Sequence, residues 1–86
     1  MTLAQRRRDI VVHYPATLRV WQSMDDDYDH KPVSMRHVAR IAGLHTSSTQ
    51  RHLNRLEEAG AVARTGYGHN TNRGYILCVR PPTTTD

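Results

Sequence analysis

Apolar residues recur at helical spacing through most of the chain, and the period changes once, near the C-terminal third. From Thr2 to Tyr14 the positions Leu3, Ile10, Val11 and Tyr14 fall at helical intervals. Pro15 interrupts them, because a mid-helix proline loses a hydrogen bond and clashes with the preceding turn. Proline is well placed at a first helical position. The pattern therefore predicts one short helix ending near His13 and another from Pro15 to Met24, with Leu18, Trp21 and Met24 facing a core. Asp25 to Pro32 reads as a polar loop. Ser34 suits an N-cap, and Met35, Val38, Ala39 and Ala42 then repeat helically. Gly43 ends that helix in a left-handed turn, with Leu44 as an apolar pin after it. Thr46 or His45 caps the next helix, which runs to about Ala59. Thr49, Leu53 and Leu56 line its inner face, with His52 at the margin. Gly60 stops it.

Beyond Gly60 the period becomes that of strands. Residues 61–65 alternate with Val62 inward, and Tyr75 to Val79 is β-branched and aromatic. The glycine- and asparagine-rich stretch 66–74 between them supplies turn formers. Together they predict a β-hairpin with a long polar tip. The tail 81–86, with two prolines and three threonines, is expected to be disordered. The fold class is thus α+β: three helices in a helix-turn-helix arrangement, a C-terminal hairpin, and an extra N-terminal helical segment. The expected organisation is one domain over 1–80, with an arm or helix at 1–14, the helix-turn-helix at 34–59 and the hairpin at 61–80.

Composition narrows the classes. At 86 residues and 37% hydrophobic, the chain suits one small domain with a lean core. No apolar run approaches the ~20 residues of a bilayer span, and no signal-peptide stretch opens the chain. The single cysteine, Cys78, cannot form an internal disulfide or a multi-cysteine zinc site, and a buried strand position is expected for it. These features point to a soluble, cytoplasmic protein of a reducing compartment.

Charge is uneven. The formal net charge is +4, and Lys31 is the one lysine among the 12 basic residues. Residues 34–80 carry an arginine excess, and 25–33 an acidic one. Positive surface of this kind meets polyanions. The acidic alternation Asp25, Asp27, Asp29 superficially matches a calcium loop. It fails at the sixth position, where His30 replaces glycine, and at the twelfth, where Arg36 replaces glutamate. Six histidines invite a metal reading, but none lies closer than seven residues to another. That spacing does not bring zinc ligands together. No metal or cofactor is expected. Protonation of several histidines below about pH 6.5 would add positive charge and tighten polyanion binding modestly.

The stretch Val-Ala-Arg-Ile-Ala-Gly-Leu at 38–44, then Arg-His-Leu at 51–53 and Leu-Glu-Glu-Ala-Gly-Ala-Val at 56–62, resembles the core of bacterial winged-helix repressors of the MarR, IclR and ArsR kind. The strict resemblance covers about 25 residues, and about 50 with the hairpin. It implies that the helix after the tight turn enters the DNA major groove and that the hairpin lies along the backbone or minor groove as a wing. On the outer face of that helix stand Ser47, Gln50, Arg51 and Asn54, with Ser48 and Arg55 at its edge. Arg51 suits a bidentate guanine contact, and Gln50 or Asn54 an adenine one. Ser47 and Ser48, beside free backbone N–H groups, suit phosphate. In the wing the candidates are Arg64, Tyr67, His69, Asn70, Asn72 and Arg73, since arginine is favoured in narrow minor grooves. Arg36 and Arg40 are candidate phosphate clamps. Arg6, Arg7 and Arg8 read equally as a backbone-binding arm or a solubilising start.

The resulting expectation is a sequence-specific double-stranded DNA binder, a small repressor of phage or bacterial type. A homodimer on a two-fold site is expected, built through residues 1–24. No small-molecule effector and no membrane partner is expected. Catalysis is not expected, because neither a nucleophile constellation nor a phosphate-cradling Gly-Lys loop is present. A winged helix that docks a protein is the alternative, as is an architectural or non-specific nucleic-acid binder.

Overall fold

The computed structural model describes residues 1–26, 32–65 and 74–82. The elements in chain order are α1 (Leu3–His13), α2 (Pro15–Asp26), α3 (Met35–Ala42), α4 (Thr46–Glu58), β1 (Val62–Thr65) and β2 (Gly74–Leu77). This is the α+β winged helix-turn-helix, with α1 as the extra N-terminal segment and the two strands as the base of the wing.

Local chemistry sets the boundaries. The Thr2 hydroxyl accepts from the Gln5 N–H while the Gln5 side chain accepts from the Thr2 N–H, a reciprocal cap on α1. Pro15 separates α1 from α2. The Ser34 hydroxyl accepts from the His37 N–H at 3.1 Å and starts α3. Gly43 ends α3 at φ 69°, with nothing within 4 Å of where a Cβ would stand. The constraint there is backbone conformation alone, so Gly43→Ala is expected to cost about 1–2 kcal/mol. α4 begins after His45, whose side chain makes no capping hydrogen bond.

The core joins α2, α3, α4 and the wing base. Val20, Trp21, Met24, Val38, Leu53, Leu56, Ala61, Val62, Tyr75 and Leu77 are buried in it, and α1 contributes Ile10. Trp21 satisfies its indole N–H by donating to the Val79 carbonyl at 2.8 Å, which fastens the end of the wing to α2. Arg7 donates to the Ala59 carbonyl at 3.0 Å, placing a cation on the C-terminal end of α4.

β1 and β2 pair antiparallel, with Val62 opposite Leu77 and Arg64 opposite Tyr75. Val33 adds a third, single-residue rung: it exchanges two backbone hydrogen bonds with Tyr75, at 3.0 and 2.8 Å. A Cβ on Gly74 would meet the Pro32 Cβ at 2.8 Å. Glycine there lets the 32–33 backbone reach β2.

Several sequence expectations are corrected. Val33 carries no strand signal in the sequence, yet it pairs with Tyr75, more than forty residues away. Asp25 and Asp26 extend α2 instead of opening a loop, and Asp25 pairs with Arg80 at 2.8 Å. β2 ends at Leu77, which points inward, so Cys78 falls on the outer side and is exposed. On α1 only Ile10 is buried; Leu3, Val11 and Tyr14 are exposed, as is Leu44. The tail starts later than position 81, since Pro81 is buried and the Pro82 carbonyl accepts from Gln22 at 3.3 Å. The rest of the acidic stretch (27–31) and residues 83–86 lie outside the described residues.

Candidate nucleic-acid interface

α4 has three sides. Thr49, Leu53 and Leu56 fill the inner one. A second side faces the N-terminal helices. There the buried Thr17 hydroxyl lies 2.7 Å from His52 Nδ1 and accepts from Arg55 Nη1 at 3.1 Å. The Arg55 guanidinium also stacks over the Tyr14 ring at 4.0 Å from its centroid. Burial, and secondarily the nearby Arg55 charge, hold the His52 pKa below its ordinary 6.5. A neutral His52 accepts the Thr17 proton at Nδ1 and carries its own on Nε2.

The third side is open. Ser47, Ser48, Arg51 and Asn54 are exposed, and Gln50 is half-buried at its border with the wing. At the start of the helix no side chain caps the first N–H groups. These groups with Ser47 and Ser48 form a donor-rich end suited to a phosphate oxygen. Arg51 makes no hydrogen bond or ion pair with another described residue.

Gln50, Asn54 and Arg64 are brought together in one network. Gln50 Nε2 donates to Asn54 Oδ1 and to the Tyr75 hydroxyl, each at 2.9 Å. Arg64 Nη2 donates to the same Asn54 Oδ1 and to Glu57 Oε1, each at 3.1 Å. The network ties both wing strands to the outer edge of α4.

Two expected contacts change. Arg55, expected at the edge of the outer face, is directed instead at Thr17 and Tyr14. Arg64 is not at the wing tip: β1 lays it back over α4. Arg36 and Arg40 stand exposed on α3. Tyr67, His69, Asn70, Asn72 and Arg73 lie outside the described residues. Sequence reasoning missed Thr17 and Tyr75, because a hydroxyl on a core-facing position carries no sequence signature of its partner. It also missed Glu57, read only as part of a helix end. Among the described residues no three histidine, cysteine or acidic side chains could hold a metal ion together, and no helix is long and apolar enough to cross a membrane.

Two helices joined by the tight Gly43 turn, an exposed face on the second and a strand pair braced against it make the arrangement of a winged helix-turn-helix. Residues 28–69, just under half of the chain, match the model of the MarR family. That match supports a winged helix DNA-binding domain of the MarR type. No curated protein and no solved structure matches the chain significantly.

Proposed function

We propose that the protein is a small transcriptional repressor that binds duplex DNA sequence-specifically, with α4 in the major groove and the wing along the backbone or minor groove. The observation that carries this reading is the outer face of α4: an exposed Arg51 with no hydrogen bond or ion pair to another described residue, beside a helix start that the His45 side chain does not cap and that carries Ser47 and Ser48. A guanidinium held out this way suits the O6 and N7 edge of guanine. Arg36 and Arg40 add positive charge on the neighbouring helix, and the net charge of +4 favours a polyanion.

One copy of so small a domain covers few base pairs, so a homodimer on a two-fold site completes the reading. Val12 is 64% exposed and Leu3 52% exposed, so α1 offers a second copy apolar surface. No effector enters the reading.

The test is selection of bound duplexes from a random pool, with affinity followed across a salt series. One enriched motif and a steep salt slope are expected, and a palindromic motif would report the dimer. A steep slope without enrichment would leave a non-specific binder. No binding at low salt would refute the reading.

A further inference from the structure

The amide network at the edge of α4 fixes which hydrogen-bonding groups Gln50 and Asn54 can offer. Its polarity is set by Arg64. A guanidinium only donates, so the Asn54 atom facing Arg64 Nη2 at 3.1 Å is the carbonyl oxygen Oδ1. That oxygen also faces Gln50 at 2.9 Å, so the Gln50 atom there must be the donor Nε2. The second hydrogen on Nε2 goes to the Tyr75 hydroxyl. Both hydrogens of Gln50 and both acceptor sites of Asn54 are then used. Gln50 is left with Oε1, an acceptor. Asn54 is left with its Nδ2 hydrogens, two donors. The free groups sit at the two outer ends of the hydrogen-bonded amide pair.

An unconstrained glutamine or asparagine grips adenine by accepting from N6 and donating to N7 with one amide. Neither amide can do this here, because each has only one half of the pair free. We infer that Arg64 and Tyr75 are positioning residues for base specificity: through the network they make Gln50 an acceptor-only reader that favours the cytosine N4 amine and Asn54 a donor-only reader that favours guanine N7/O6 or thymine O4, and so deny adenine its two-bond contact at both positions. This inference rests on the DNA-binding reading above. It replaces the adenine contact expected from residue types alone. Adenine opposite Gln50 would keep its N6 donor matched but set its N7 acceptor against a carbonyl oxygen. Cytosine presents a donor alone.

The network polarity has a test that needs no DNA. Asn54→Asp keeps two acceptor sites between Gln50 and Arg64, so the variant should melt at or above the temperature of the native protein. Gln50→Glu removes the donor that both Asn54 Oδ1 and the Tyr75 hydroxyl use, and should melt lower. The reverse order would overturn the inference at its base.

The specificity test is selection from a random duplex pool with the full chain and its Tyr75→Phe, Arg64→Met and Arg64→Lys variants, each checked for folding by thermal melting. For the native protein, the position that loses its preference in Gln50→Ala should be cytosine, and the one lost in Asn54→Ala should be guanine or thymine. Tyr75→Phe frees one Nε2 hydrogen beside Oε1, so adenine should gain about tenfold on cytosine at the Gln50 position. Arg64→Met lets the Asn54 amide turn over, so both preferences should flatten. Arg64→Lys, still donor-only, should restore them. A purely structural role for Arg64 and Tyr75 would change affinity with the motif unaltered, and that result would overturn the inference while the DNA reading stands. Adenine at the Gln50 position of the native motif would do the same. No enriched motif for a native protein with the predicted melting order would refute the DNA reading itself, and the base assignment with it.

Discussion

The two flanks of α4 use the same kinds of side chain in opposite ways. On the flank against α1 and α2, His52 and Arg55 converge on one buried hydroxyl, Thr17, and Arg55 is covered by the Tyr14 ring. On the flank against the wing, Gln50, Asn54 and Arg64 are linked to each other and to Tyr75 at the surface. The first arrangement turns its side chains inward, onto the Thr17 hydroxyl and the Tyr14 ring. The second uses only one half of each amide within the network. A polar residue near a candidate interface is therefore informative only once its internal partners are counted. Arg55 and Arg51 are four residues apart on one helix, yet one is a strut and the other is exposed, with no hydrogen bond or ion pair to another described residue.

The largest expected effect comes from breaking the buried flank. Thr17→Val keeps the shape but leaves His52 Nδ1 and Arg55 Nη1 without their shared hydroxyl. We expect a loss of about 1–3 kcal/mol in denaturant unfolding. A stability equal to the native protein's would show that water replaces the hydroxyl at no cost.

Arg51→Ala addresses the open flank. We expect DNA affinity to fall by about 1–3 kcal/mol, concentrated at one guanine position, with the melting temperature unchanged. A drop in stability instead would place Arg51 on the structural side of the comparison.

His52 gives a pH signature that only the buried flank should show. Its pKa is depressed in the folded state, by burial first and by Arg55 second. Below the ordinary value of 6.5 the unfolded chain takes up a proton that the folded protein resists. The His52 contribution to stability is thus complete above about pH 6.5 and is lost as pH falls toward the depressed folded value. Unfolding of the native protein and of His52→Gln, compared at about pH 7.5 and 5.5, should show a smaller acid loss in the variant. Equal losses would remove His52 from the account. The same depression lessens the charge that His52 would add on acidification.

The smallest effect is at the surface ion pair. Arg64 and Glu57 are 3.1 Å apart, but their side chains are 53% and 37% exposed. Glu57→Gln should change stability by no more than about 0.2–1 kcal/mol, and less in high salt. A larger loss would mean that Glu57 is needed to hold Arg64 against Asn54.

Much of the fold was legible in the sequence because its signals are local. The proline between α1 and α2, the Ser34 cap, the left-handed Gly43 and the Thr49–Leu53–Leu56 stripe each act within a turn of helix. The change of period after Gly60 announced the wing. What the sequence left open is set by partners far away along the chain. Val33 enters the sheet only because Gly74 admits the backbone beside it, and nothing near Val33 announces that. The fate of each polar residue on α4 was equally hidden: spacing puts Arg55 at the edge of the outer face, but the packing of α1 and α2 gives it Thr17 and Tyr14.

The sequence by itself determined the order of elements, the helix ends and the residue types available to meet DNA, since propensity, capping and periodicity are short-range. Only the tertiary structure decided which of those residues remain available and which half of each amide they can offer, because a hydrogen bond's direction depends on a donor or acceptor that the fold brings in from another element.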